Sequence, residues 1–198
     1  MTDFSTRSYK SPFKHFCFNL SLLLSLAGAG FWMPVAQADG MSIKSAELVL
    51  SEDWYYLHAE FDVALNRALE EALSKGISLN FSVEFELTRH RWYWFDESVA
   101  SVRQNLRISY HALTRQYQFS SNSGNKTFNT LAEAKDELNH IVDWKVLDRN
   151  QLKRGTNYNA AVRMKLDVKQ LPKPLQVDVL GSKDWDIASD WYRFTFTP

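Results

Sequence analysis

Cysteine is almost absent from this sequence: the single cysteine among 198 residues is Cys17, close to the N-terminus. Disulfides within the chain are therefore excluded, and thiolate metal sites and cysteine nucleophiles are excluded from everything beyond Cys17. A domain built from that remainder depends on its hydrophobic core alone. A chain of about 160 residues can do this, because it buries roughly 70% of the surface that its unfolded form exposes.

An excess of charge is also lacking, since 23 Lys and Arg balance 23 Asp and Glu. Dedicated nucleic-acid binders carry a strongly basic surface, so the sequence predicts no nucleic-acid partner. The sequence is rich in hydrophobic residues: 45% of the residues are hydrophobic and 14% are aromatic. That composition excludes intrinsic disorder and predicts a packed core.

Catalytic motifs are missing as well. The sequence contains no G-x-S-x-G elbow, no Walker A loop, no G-x-G-x-x-G and no H-E-x-x-H. His90 and His111 could approach each other across a hairpin, but without an evident third ligand they make a poor metal site. The sequence predicts no catalytic residue, no metal site and no cofactor, and hence a protein that is not an enzyme.

The first 38 residues differ from the rest. Arg7, Lys10 and Lys14 precede an apolar run over 16–32, and the small residues Ala36 and Ala38 follow. A basic start, a short apolar run and an A-x-A site together predict a secretory signal peptide, here a signal helix over 1–38 that is cleaved after Ala38. The alternative is an uncleaved membrane anchor. We expect a periplasmic domain over 39–198, which is anchored in the inner membrane, and contacts it, only if the segment is retained.

Strict alternation of apolar and polar residues dominates the remainder and is typical of half-buried strands. It is clearest over 77–87 and returns over 158–168, 55–63 and 106–112, with shorter candidates over 43–50, 116–119, 144–147, 175–179 and 192–196. Parallel strands would show continuous apolar runs instead. The patterns predict a mainly β domain, an antiparallel two-sheet β-sandwich that is immunoglobulin-like in the broad sense.

Two short α-helices are predicted between these strands. Apolar residues at helical spacing between Leu65 and Leu73 indicate the first, and Gly76 is placed to end it. Thr130 and Glu133 form a capping box that opens the second. Residues 120–125 (SSNSGN) indicate a hairpin tip. Pro172 and Pro174 predict an extended segment that cannot continue a sheet.

The most unusual stretch is 89–96 (RHRWYWFD), where the alternation gives way to aromatic residues at both parities. If the strand continues, it is apolar on both faces, and its partner strand adds arginines beside it. One hypothesis is an interaction surface for an anionic lipid, a glycan or a protein. The other is a ladder of arginines stacked on aromatics that stiffens the sheet. The candidate surface consists of Arg89, Arg91, Trp92, Trp94, Arg103, Arg107 and Arg115.

Six segments together resemble a known family. They are 69–73 (LEEAL), 84–87 (EFEL), 91–94 (RWYW), 109–117 (SYHALTRQY), 171–177 (LPKPLQV) and 182–185 (SKDW). In this order and spacing the sequence is similar to an uncharacterised family of exported proteobacterial proteins, domain of unknown function 4390. The resemblance implies a secreted or membrane-tethered single domain and brings no established activity, cofactor or catalytic residue. Through the neighbourhood of the family's genes it implies a sensor kinase as a candidate partner.

Three hypotheses for function remain open. The first is a periplasmic interaction module that binds a membrane or envelope protein partner. The second is a carrier of a lipid or another small hydrophobic ligand held between the two sheets. The third is a hydrolase of cell-wall glycan, which needs two facing carboxylates. The adjacent pairs at 70–71 and 96–97 point in diverging directions and do not supply them.

Overall fold

The computed structural model describes residues 40–93, 95–179 and 182–198, with the backbone alone at 177 and 178. These residues belong to the unit Asp39–Pro198. The predicted signal helix and its cleavage site at Ala36 and Ala38 lie outside the described residues, as does Trp94. Among the helices that are described, none is both long and apolar enough to cross a membrane.

The described residues form nine strands, which make up most of the domain. They are β1 (Met41–Ser51), β2 (Trp54–Val63), β3 (Leu79–Arg89), β4 (Glu97–His111), β5 (Gln116–Ser121), β6 (Gly124–Phe128), β7 (His140–Asp148), β8 (Tyr158–Leu166) and β9 (Tyr192–Phe196). Three short helices accompany them: α1 (Arg67–Ser74), α2 (Leu131–Asn139) and α3 (Lys173–Val179).

The strands form two antiparallel sheets. The smaller sheet has the order β1-β2-β7, and the larger has the order β6-β5-β4-β3-β8-β9. All pairs of neighbouring strands in both sheets are antiparallel. The prediction of a mainly β, two-sheet antiparallel sandwich with few short helices is confirmed.

The core lies between the sheets because alternate side chains of each strand turn inward. On β3 these are Leu79, Phe81, Val83, Phe85 and Leu87, all fully buried. Inward residues of β2 and β8 join them in one continuous hydrophobic cluster. The alternation that the sequence shows is therefore the alternation between the core and the outer faces.

The two predicted helices are present. Asn66 caps α1 by accepting a hydrogen bond from the amide of Leu69 at 3.0 Å, and Gly76 follows the helix with a left-handed φ of 82° that favours glycine. In the capping box of α2, the Thr130 hydroxyl accepts from the amide of Glu133 at 3.2 Å, while the Glu133 carboxylate accepts from the amide of Asn129. The sequence thus locates both helix starts correctly.

Three details of the sequence-based prediction are wrong. Residues 175–179 lie in α3 rather than in a strand, because Pro172 stands just before the helix and its carbonyl accepts from the amides of Leu175 and Gln176. Proline fits the first turn of a helix, whose amides lack internal partners. The strand Gly124–Phe128 is missing from the prediction, although the hairpin tip before it is present. Residues 90–93, 95 and 96 lie in the loop between β3 and β4 instead of continuing the strand.

Candidate interaction site

The loop between β3 and β4 presents aromatic side chains to solvent. Trp92 is 89% exposed, Tyr93 is 64% exposed and Phe95 is 83% exposed. The rings of Trp92 and Tyr93 meet edge to face, with centroids 5.3 Å apart. We call these three residues the aromatic tip. Large apolar side chains that are this exposed and this close together are typical of a binding surface.

Ion pairs close the base of the loop. Arg89 and Arg91 both donate to the Glu97 carboxylate, the second over 2.8 Å. The hydrogen bonds from Arg91 and then Arg89 hold the pKa of Glu97 below its ordinary value, against a smaller opposing effect of burial. His90 and Asp96 meet over 2.9 Å on the same loop. The aromatic tip therefore projects from a base that charged groups tie together.

The sequence hypothesis placed the aromatics on a strand, and the structure corrects this. The last paired residues of the hairpin are Arg89 and Glu97, so the chain leaves the sheet before the aromatic tip begins. A strand that was apolar on both faces would need cover on both faces. The loop places these side chains beyond the end of the sheet instead, where neither face of the sandwich covers them.

The arginines of the predicted partner strand do not join the aromatic tip. Arg103 lies opposite Glu84 in the register and donates to its carboxylate over 2.5 Å. Arg107 lies further from the tip along β4 and donates to the Ser78 hydroxyl at 2.8 Å. Arg115 occupies the turn at the far end of β4. The seven-residue surface is thus divided, and only Arg89, Arg91 and Trp92 are brought together among its described members.

The predicted ladder, in which arginines of β4 stack on the aromatic residues of 89–96, is not found among the described residues. Within the described residues, cations stack on aromatic rings at two other places. The Arg163 guanidinium lies 4.4 Å from the ring centroid of Trp191, and the Lys145 ammonium lies 3.3 Å from that of Trp54. Both contacts are of the kind that such a ladder would contain, but neither involves β4.

Glu84 is the centre of a charged cluster on the outer face of the larger sheet. Arg163 donates to it from β8 over 2.6 Å, Lys165 over 2.9 Å and Arg103 from β4. Burial alone would raise the pKa of Glu84, but the hydrogen bonds from Lys165 and Arg163 outweigh burial, so the pKa lies below its ordinary value. Because this carboxylate is fully engaged by three cations, its role is to join three strands.

Sequence reasoning missed a group of polar residues where α2 meets β7. His140 pairs with Asp136, four residues earlier, over 3.6 Å, and Asp143 pairs with His58 over 3.2 Å. The i,i+4 spacing of Asp136 and His140 was the signal that could have found them. Among the described residues, no group of three or more His, Cys, Asp or Glu is arranged to hold a metal ion.

Comparison with known proteins gives one result. Residues 38–195 match the family model described as Domain of unknown function (DUF4390). No curated protein and no solved structure matches the chain. The match covers the aromatic tip, the charged cluster around Glu84 and all but the last residue of the two sheets. Because it spans more than half of the sequence, the chain belongs to the DUF4390 family.

Proposed function

We propose that this chain is an exported, non-enzymatic interaction module, and that it binds a membrane or envelope protein partner through the aromatic tip. The observation that carries the proposal is the exposure of Trp92 at 89% on a loop whose base is tied by Glu97. Tryptophan, tyrosine and arginine dominate the binding energy of protein interfaces. The ion pairs of Glu97 hold the loop in place before a partner binds. Less conformational entropy is therefore lost on binding.

Export supports the choice of partner. The signal-like segment over 1–38 would place the domain beyond the inner membrane, where envelope proteins are the proteins within reach. A sensor kinase is the candidate that the family association supplies. Membrane contact through the N-terminal segment itself follows only if that segment is retained.

A membrane-binding assay tests the proposal with the mature protein as its own host exports it. We expect the protein to sediment with inner-membrane vesicles and to stay in solution when the vesicles have been treated with protease. The double variant Trp92→Ser/Tyr93→Ser should lose sedimentation, with an affinity loss of at least about thirtyfold, as expected when aromatic anchors are removed. Its melting temperature should stay close to that of the wild type, because exposed side chains contribute little to stability.

The matched control is Leu113→Ser. Leu113 is fully exposed on the turn that follows β4, at the opposite end of that strand from the aromatic tip. This variant should sediment like the wild type. If the wild type binds protease-treated vesicles equally well, the partner is lipid. If both variants lose the same affinity for vesicles, the aromatic tip is not the binding surface.

The carrier hypothesis gains no support from the part of the core around Phe61, Phe81 and Phe85, whose side chains are fully buried. A mainly apolar cavity of about 400 Å³ lies outside the sandwich, where Leu166, Val168 and Trp185 line it. Native mass spectrometry of the protein from its host should show no co-purified lipid if the interaction module is the whole function.

A further inference from the structure

A polar cavity of about 330 Å³ lies on the outer face of the larger sheet, beside the turn that follows α1. Arg107 and Ser109 reach it from β4, and Gln118 and Ser120 reach it from β5. Ser78 joins them from the residue just before β3. The register places Arg107 opposite Ser120 and Ser109 opposite Gln118, so these side chains are neighbours on one face. The aromatic tip lies beyond the opposite end of β4, so the two sites are separate.

Arg107 brings a positive charge that its surroundings do not neutralise. Its guanidinium donates to the Ser78 hydroxyl at 2.8 Å and forms no ion pair in the described part of the chain. A guanidinium has several N–H donors, so most of them stay free for a ligand. The Ser78 hydroxyl accepts this bond and keeps its own proton to donate. None of the described lining residues is an aspartate or a glutamate; the lining is completed by Gly76, Tyr110 and His111.

The other polar groups of the cavity also present donors. Nε2 of His111 and the side-chain oxygen of Gln118 lie 3.0 Å apart. Because an amide oxygen only accepts, the ring nitrogen carries the proton, and the NH2 group of Gln118 keeps its own donors. The hydroxyls of Ser109 and Ser120 have no hydrogen-bond partner among the described residues. Guanidinium, amide and hydroxyl donors therefore border one space, while the amide oxygen is already occupied.

A ligand can reach these groups. Ser109, Gln118 and Ser120 are half-buried, and Arg107 and His111 are exposed. All five lie on β4 and β5, which are paired with each other and with a further strand on either side. Strands hold the groups of a site more precisely than loops do. The donors are therefore in place before a ligand binds.

The end of α1 is the one neighbouring feature that opposes an anion, because the carbonyls at a helix C-terminus carry partial negative charge. Two of these carbonyls already accept hydrogen bonds from the chain that follows: Ala72 accepts from the amide of Ile77 and Leu73 from that of Gly76. The partial charge of a helix end is also smaller than the full charge of a guanidinium. The cavity therefore stays positive.

We propose that this cavity binds a phosphate monoester. The phosphate accepts from the Arg107 guanidinium, and its remaining oxygens accept from the Gln118 NH2 group and the hydroxyls of Ser109 and Ser120. A phosphate monoester carries about 1.5 to 2 negative charges and three strong acceptor oxygens, which matches one cation surrounded by neutral donors. A neutral sugar needs acceptors for its hydroxyl groups, and the described lining offers no carboxylate. This site does not depend on the function of the aromatic tip.

Glycerol 3-phosphate is the probe that tests the proposal, with glycerol as the neutral control and glycerate as the carboxylate control. We expect saturable binding of glycerol 3-phosphate to the mature protein from its host, measured by calorimetry and by backbone amide shifts on β4 and β5. Glycerate should bind at least about tenfold more weakly, and glycerol should not bind. No saturable binding of glycerol 3-phosphate, or equally tight binding of glycerate, would overturn the proposal.

Vesicles distinguish a lipid headgroup from a soluble ester as the source of the phosphate. Phosphatidic acid carries the same monoester as the probe. If the protein sediments with phosphatidylcholine vesicles only when they contain phosphatidic acid, and glycerol 3-phosphate releases it, the cavity takes the lipid headgroup. If the protein binds glycerol 3-phosphate but stays in solution with both kinds of vesicle, the ligand is a soluble ester.

Two arginine substitutions locate the site. Arg107→Gln should weaken binding of glycerol 3-phosphate at least about tenfold, because it removes the charged donor. Its melting temperature should stay close to that of the wild type, since the side chain is exposed. Arg193→Gln is the matched control: it removes the same charge from an exposed position on β9 outside the cavity, and it should bind like the wild type. Equal losses in the two variants would show that binding follows net charge and would contradict the proposal.

The double variant Ser109→Ala/Ser120→Ala tests the neutral donors. It should weaken binding of glycerol 3-phosphate at least about threefold, because two hydroxyl donors are lost. Ser98→Ala/Ser101→Ala, at two exposed positions of β4 outside the cavity, should leave binding unchanged. Equal binding in the two double variants would contradict the contacts that the proposal assigns to these hydroxyls.

Discussion

Glu84 shows how one side chain couples three strands. It lies on β3 with only 9% of its side chain exposed, and cations from β4 and β8 reach it from both sides. Its lowered pKa has a direct consequence for stability. A carboxyl whose pKa is lower in the folded state stabilises the fold above its ordinary titration range, and this stabilisation disappears as the pH falls through the folded-state pKa.

The first prediction follows from that pairing. Glu84→Gln should lower the free energy of unfolding at pH 7 by about 2 kcal/mol, the usual value of hydrogen bonds to a charged group. The difference from the wild type should shrink as the pH falls below about 4, because the wild-type carboxylate then takes up a proton too. Denaturant unfolding over a pH series measures both effects.

Glu86→Gln is the control for this prediction. Glu86 lies two residues along the same strand, is exposed, and has no ion pair among the described residues. We expect its replacement to change the free energy of unfolding by less than about 0.5 kcal/mol. A Glu84→Gln protein that is as stable as Glu86→Gln at pH 7 would show that the cluster contributes nothing to stability.

At the scale of elements, the second prediction concerns the start of α2. The Thr130 hydroxyl accepts from the amide of Glu133, one of the first amides of the helix that would otherwise lack a partner. Thr130→Ala should therefore destabilise the domain by about 1 kcal/mol, measured by thermal or denaturant unfolding. Thr114→Ala, in the exposed turn after β4, should be neutral, and equal effects in the two variants would argue against the cap.

How far the sequence predicts an element depends on how strictly its residues alternate. β3 and β8 alternate without a break, and the predictions over 77–87 and 158–168 lie within two residues of the strands Leu79–Arg89 and Tyr158–Leu166. β4 was predicted from 106 although it begins at Glu97, because the polar Gln104 at an inward position interrupts the pattern. α3 was taken for a strand because Pro172 and Pro174 look like breaks, whereas proline also suits the first turn of a helix.

The candidate site was predicted only in part, for a related reason. Composition alone singles out residues 89–96, but it does not say where β3 ends. The structure ends the pairing at Arg89 and Glu97, and this turns a supposed aromatic strand into an exposed loop. Arg103 and Arg107 could not be separated from it by sequence, since their partners, Glu84 and Ser78, are fixed by register and by tertiary contacts.

For the whole molecule, the third prediction concerns export. If the segment over 1–38 is a cleaved signal peptide, the protein recovered from the periplasm of its host should begin at Asp39. The physical reason is the small side chains at Ala36 and Ala38, which signal peptidases require. N-terminal sequencing measures this. An intact N-terminus in the membrane fraction would favour the anchor, and a cytosolic product would contradict export.

The two ends of β4 carry one exposed residue each, and only one of these belongs to the aromatic tip. This strand of 15 residues spans on the order of 45 Å, with Trp92 in the loop before it and Leu113 in the turn after it. Both residues are largely exposed, so a reagent at either position meets solvent equally well. They differ in their surroundings, because only Trp92 belongs to the aromatic tip.

Site-specific photo-crosslinking in the native host shows whether a partner protein contacts the aromatic tip. A photoreactive phenylalanine analogue replaces Trp92 in one full-length protein and Leu113 in another. We expect one discrete protein adduct from position 92 and none from position 113. The absence of an adduct at 92, or the same adducts at both positions, would contradict an interaction module that works through the aromatic tip.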